Sequence, residues 1–157
     1  MATNSLGDPT LQAPSELLDM KINLTEAQLI AIIGQANFEN LRRIFGQTYD
    51  EIVIRRCQAT GKFINFHTDN SLRTMQVSIN SDRDYQGGQL MYLTNGKVSI
   101  PSRTAGTITI HENNIVHGVT ELVSGTRYGL FFLKKTRDWY QKLSLLPFYL
   151  TLKLIET

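Results

Sequence analysis

Two hydrophobic periods divide this chain. Between residues 24 and 46 the apolar positions Leu29, Ile32, Ile33, Phe38, Leu41, Ile44 and Phe45 recur at the spacing of an amphipathic helix. Thr25 followed by Gln28 has the form of a capping box, which predicts a helix start. Gly34 and Asn37 break the run into two helices, and Gly46 is placed to end the second. From residue 50 onward the period falls toward two, which predicts short strands at 52–57, 62–66, 74–79, 89–93, 97–100, 106–110 and 127–133. Gly61, Ser81-Asp82, Gly87-Gly88, Asn95-Gly96, Pro101 and Gly125 supply the turns between them. Asn95-Gly96, between Leu90-Met91-Tyr92-Leu93 and Val98-Ser99-Ile100, is the strongest hairpin signal.

Short strands beside N-terminal helices predict a mainly β fold, a double-sheet jelly roll with a helical flank. One domain is expected over residues 23–157, with the flank at 24–46, the barrel at about 50–135 and an apolar covering segment at 139–157. In that last segment Trp139, Leu143 and Leu146 fall at near-helical spacing before Pro147; a homodimer contact is the other use such a segment could have. Residues 1–22, which include Pro9 and Pro14, are read as a flexible lead-in.

Composition narrows the picture. A chain of 157 residues that is 41% hydrophobic suits a single core. The net charge of +2 comes from interspersed acids and bases, so no nucleic-acid partner is expected. Cys57 is the single cysteine, which excludes an internal disulfide and a thiolate zinc cluster and fits a reducing, cytoplasmic setting. No basic start followed by an apolar stretch opens the chain, so no signal peptide is expected. The apolar run at 143–155 is short and interrupted by Pro147 and Lys153, so no membrane span is expected either.

The candidate chemistry lies in four residues. His67 and Asp69 are two apart, the spacing that turns strand side chains to one face, and they end the run that begins at Lys62. His117 follows about fifty residues later, far enough to return on a facing strand and complete a triangle. Two imidazoles and one carboxylate on one face of an octahedron form the donor set of a non-haem Fe(II) centre, and leave adjacent positions for a 2-oxo acid and O2. His111 competes for the third place, but it ends a strand before a polar turn and is read as a surface residue or a support for the ligands. Arg127, after the turn at Gly125, could pair in bidentate fashion with the distal carboxylate of 2-oxoglutarate.

Together with their surroundings, these residues resemble the prolyl 4-hydroxylase-like superfamily of Fe(II)/2-oxoglutarate dioxygenases, including its procollagen lysyl hydroxylase branch. The resemblance covers about residues 50–133 and rests on His67-Thr68-Asp69, Ile79-Asn80, Asp84-Tyr85-Gln86-Gly87-Gly88-Gln89-Leu90, Pro101, Ala105-Gly106-Thr107-Ile108, His117-Gly118-Val119 and Gly125-Thr126-Arg127-Tyr128, in the family's order. It implies a double-stranded β-helix, a cupin-like barrel, with Fe(II) held by His67, Asp69 and His117 and 2-oxoglutarate by Arg127. It further implies Gln76 and Ser78 as co-substrate contacts, with O2 as the second co-substrate and ascorbate to restore oxidised iron. The activity implied is hydroxylation of an unactivated C–H, of a prolyl or lysyl side chain in a protein or peptide or else of a small metabolite, with 2-oxoglutarate converted to succinate and CO2. Residues 70–73 and 81–86 are the expected specificity loops.

Two departures stand out. Many relatives carry Arg-Tyr where this chain has Arg56-Cys57, and the acidic residue expected after Gly-Gly is Gln89. Nucleic-acid repair oxygenases carry a further arginine six residues beyond the first, where this chain has Leu133. A cupin-like isomerase or metal-binding protein remains the alternative, although it would not need Arg127.

Overall fold

A computed structural model describes residues 18–59, 61 and 63–135. Its elements are β1 (Asp19–Leu24), α1 (Glu26–Ile33), α2 (Gln35–Phe45), β2 (Glu51–Gln58), β3 (Ile64–His67), β4 (Ser71–Ser78), β5 (Gln86–Gly87), β6 (Leu90–Thr94), β7 (Lys97–Ser99), β8 (Ile108–Glu112), β9 (Val116–Val119), β10 (Leu122–Ser124) and β11 (Thr126–Lys135).

The helix signals hold. The Gln28 backbone N–H donates to Thr25 Oγ1 at 3.2 Å while the Thr25 N–H donates to Gln28 Oε1 at 2.8 Å, closing the capping box. Gly46 ends α2 in the left-handed region at φ 77°, and its N–H donates to the Arg42 carbonyl at 3.1 Å.

The strands form a five-stranded sheet in the order β1-β2-β11-β4-β8, a four-stranded sheet β3-β9-β6-β7 and a two-stranded ribbon β10-β5. All of their pairings are antiparallel. The Asn95-Gly96 turn has φ 52° and 72° and joins β6 to β7, as the dipeptide predicts. Gly87 has φ 74°, and a Cβ there would lie 1.9 Å from the Glu121 carbonyl oxygen, so the β5–β10 contact admits only glycine.

Alternation along the five-stranded sheet gives it two unlike faces. Ile52, Met75, Leu130 and Phe132 point outward and pack against Leu29, Phe38 and Phe45 of the helices. Phe132 is fully buried, 5.0 Å from Tyr49 in an edge-on contact and 6.2 Å from Phe45. Each such side chain contributes roughly 1.5–3 kcal/mol by leaving water. The intervening residues, among them Thr74, Gln76 and Arg127, face the opposite way and line a cavity between the sheets.

Several expectations need correction. Residues 19–22 belong not to a lead-in but to β1, an edge strand whose Met20 and Ile22 alternate with Asp19 and Lys21. The short strands β5 and β10, of two and three residues, lie outside the expected set. Residues 1–17 of the lead-in and the covering segment at 139–157 lie outside the described residues.

Candidate metal centre

Strands β3 and β9 are neighbours, and His67 is directly opposite His117. The two histidines therefore come from adjacent strands of one sheet rather than from facing strands. Asp69 lies just past β3, in the turn that carries the chain across to β4. Its Oδ1 is 3.6 Å from His67 Nε2 and 3.5 Å from His117 Nε2, and the donor atoms of all three residues lie within 4.8 Å of one another.

Each imidazole is oriented by its other nitrogen. His67 Nδ1 donates to the Asn65 carbonyl at 2.8 Å, and His117 Nδ1 to the Ile115 carbonyl at 3.1 Å. These bonds leave both Nε2 atoms facing Asp69 Oδ1, the tautomer a metal needs. The second carboxylate oxygen is held from the other sheet: Thr74 Oγ1 donates to Oδ2 at 2.5 Å and His111 Nε2 lies 2.9 Å from it. Burial opposes the charge on Asp69, but hydrogen bonds from His111, His117 and Thr74 outweigh it and hold the carboxyl far below its ordinary range. His117 is pushed upward by its bond to Asp69, against desolvation. A metal would take the place of that proton.

His111 is not a surface residue. It is buried on β8 opposite Thr74, with its ring 4.3 Å from that of His117, and it supports Asp69 from behind. The donor set of two imidazoles and one carboxylate fits a facial Fe(II) site, and His67 leaves one flank open, its side chain 40% exposed.

The triad opens into a cavity of about 400 Å³ that also contains Thr74, Gln76 and Arg127. Arg55, Arg73 and Arg103 reach carboxylates at 2.6, 2.5 and 3.5 Å, whereas Arg127, 8% exposed, forms no ion pair among the described residues. Its Nε has no hydrogen-bond partner; with the Gln76 amide turned so that its oxygen faces the guanidinium groups, Nη2 donates to that oxygen at 2.6 Å. Desolvation pushes its pKa down, and nearby Arg103 pushes it further. Ser78 is buried on the same strand with an unpartnered Oγ, but it lies outside the lining of this cavity. Cys57 sits opposite Arg127 across the β2–β11 ladder, with its thiol 3.4 Å from Asp19 Oδ1 and its pKa raised by burial.

Sequence reasoning missed Arg103, which is 2% exposed. It lies in the loop between β7 and β8, where no hydrophobic period marks it. In residues 81–86, expected as a specificity loop, Tyr85 is buried and donates to Asp82 Oδ1 at 2.5 Å, and Asp82 Oδ2 accepts the Arg103 backbone N–H at 2.9 Å. Residues 71–73 of the other expected loop belong to β4.

The fold is a double-stranded β-helix, a cupin-like barrel, and it is similar to those of prolyl 4-hydroxylases and other 2-oxoglutarate–Fe(II) oxygenases. Its own His67, Asp69 and His117 form a His-x-Asp…His arrangement within it. A prolyl hydroxylase from Trichoplax adhaerens, solved with a hypoxia inducible factor oxygen degradation domain peptide fragment, superposes with a TM-score of 0.58 at 16% identity, over 73% of this chain and 61% of that one. A 2-oxoglutarate–Fe(II) oxygenase family oxidoreductase from Burkholderia pseudomallei gives 0.55 at 15% identity, over 73% of this chain and 64% of that one. A viral collagen prolyl hydroxylase from Paramecium bursaria Chlorella virus 1, solved with 2-oxoglutarate, gives 0.53 at 12% identity, over 76% and 81%. The chain thus spans less than two thirds of the first two structures, and at these identities the likeness is one of fold. No protein-family model matches the chain, and no curated protein matches it.

Proposed function

We propose that this chain is an Fe(II)- and 2-oxoglutarate-dependent dioxygenase that hydroxylates an unactivated C–H, on a prolyl or lysyl side chain of a protein or peptide. The observation that carries the reading is the Arg127 guanidinium, which has no ion-pair partner among the described residues and lies in the same cavity as the triad. A buried cation without a counter-ion is costly, and a site built only to hold a metal does not call for one. The distal carboxylate of a dicarboxylic 2-oxo acid would offset it.

His67, Asp69 and His117 would hold the metal through one face, with Thr74 and His111 keeping Asp69 in place. When bound, iron and 2-oxoglutarate supply the oxidation: O2 is consumed, 2-oxoglutarate becomes succinate and CO2, and C–H becomes C–OH. The protein positions these partners and screens them from water. Arg127 fixes the far end of the co-substrate, while the exposed flank of His67 leaves room for a substrate chain. The peptide in the Trichoplax structure supports a peptide substrate by fold analogy. Ascorbate as a reductant and a cytoplasmic location belong to the same reading; no helix among the described residues is long and apolar enough to cross a membrane.

Anaerobic titration of the protein with Fe(II) and then 2-oxoglutarate tests the proposal. A visible metal-to-ligand charge-transfer band from the bidentate chelate is expected. Folded, iron-loaded protein without that band would refute the co-substrate assignment.

A further inference from the structure

Arg127 is not the only buried cation at its end of the cavity. With the Gln76 amide turned so that its oxygen meets donors rather than its nitrogen, that oxygen lies 3.2 Å from Arg103 Nη1 and accepts from Arg127 Nη2 at 2.6 Å. A single neutral amide therefore bridges two guanidinium groups that are 2% and 8% exposed, each with an unpartnered Nε. Arg103 is fixed on its far side by Asp82 Oδ1 at 3.5 Å and by the Tyr85 hydroxyl at 3.5 Å. Asp82 offsets one of the two charges, and nothing among the described residues offsets the other.

We infer that Arg103 is a positioning residue for the co-substrate: acting through Gln76, it holds the Arg127 guanidinium ready and makes this end of the cavity demand a dicarboxylate. The inference rests on the proposed co-substrate reading and deepens it. Pinned between two donors, the Gln76 oxygen cannot swing away, so Arg127 keeps Nη2 on Gln76 and leaves Nε uncommitted. The second cation also raises the local positive potential, which favours the end of the ligand that carries a full carboxylate. A 2-oxo acid lacking that group would leave the Arg127 guanidinium facing only the amide, while Arg103 keeps Asp82.

The chemistry yields an isosteric test. In Gln76→Glu, a carboxylate takes the place of the amide between the two guanidinium groups and neutralises the site from within, so stability and ligand binding should move in opposite directions. With Mn(II) in place of iron, calorimetric titration should show wild type binding 2-oxoglutarate far better than 2-oxobutyrate. Gln76→Glu should raise the melting temperature, keep Mn(II) affinity and weaken 2-oxoglutarate binding on the order of a hundredfold. Arg103→Met should weaken it on the order of tenfold and narrow the preference over 2-oxobutyrate. Arg103→Lys should recover only part of this, because lysine restores the charge without the fork. A wild type with no affinity for 2-oxoglutarate would overturn the co-substrate reading together with this inference. A wild type that binds, beside Gln76→Glu and Arg103→Met proteins that bind equally well, would overturn the role of Arg103 alone.

Discussion

The two faces of the five-stranded sheet are built from alternate residues of the same strands, yet they obey opposite rules. Outward from β2, β4 and β11 point Ile52, Met75, Leu130 and Phe132, all buried against helices. Inward point Arg55, Thr74, Gln76 and Arg127, which meet other polar groups around a cavity. The outer face stabilises the fold by removing apolar surface from water. The inner face works against stability, because it keeps charge in a poorly solvated place, and so its composition reflects what it binds. Adjacent positions of one strand, such as Met75 and Gln76, should therefore respond to mutation in different observables.

The largest expected effect is on the outer face. Phe132→Ala removes a fully buried ring from the contact with Phe45 and Tyr49 and should cost about 3–5 kcal/mol in urea unfolding. The folded fraction should bind Fe(II) as wild type does. A comparable loss of metal affinity would show that the faces are not separable.

The next effect belongs to the inner face and reads out as affinity. His111→Leu removes one of two groups that hold Asp69 Oδ2 and should weaken Fe(II) binding about 10–100-fold, the usual weight of a group that orients a ligand. Competition with a chromophoric chelator measures this. Unchanged affinity would mean that Thr74 alone fixes the carboxylate.

Arg127→Met sharpens the contrast by reversing the sign. Removing a buried cation that has no ion-pair partner among the described residues should leave Fe(II) affinity intact, abolish the 2-oxoglutarate band and stabilise the protein by about 1–2 kcal/mol. If stability falls and both ligands are lost together, Arg127 is a structural residue.

This contrast also explains what could be read from the chain. The outer face was legible because its apolar residues and those of the helices repeat with a period. His67, Asp69, His117 and Arg127 were legible because few residue types supply their chemistry, and the structure brings all four to one cavity. The rest depended on pairings that no local pattern records. Arg103 is buried only because Asp82, 21 residues earlier, folds back to accept its N–H. His111 supports Asp69 only because β8 pairs with β4, which sets it opposite Thr74. Strand β1 was hidden by its charges, since Asp19 and Lys21 resemble loop residues until Arg55 is seen beside them.

Arg55 supplies the smallest and sharpest version of the comparison, an inner-face cation that does have a counter-ion. Asp19 accepts from it in bidentate fashion at 2.8 and 2.6 Å, and this bond to Arg55 is the chief influence holding the Asp19 carboxyl below its ordinary value, against partial desolvation. A carboxyl whose folded pKa is depressed adds stability above its unfolded pKa of 3.8, and that stability is lost as the pH falls through the lower folded value. With 35% of the Asp19 side chain exposed, screening keeps the contribution to about 0.5–1 kcal/mol. Urea unfolding of wild type and Asp19→Asn should therefore differ by that amount at pH 6, and the two should converge as the pH drops below about 4. If the difference stays undiminished at the lowest pH at which both proteins still fold, the strand pairing of β1 rather than the ion pair is what Asp19 supports.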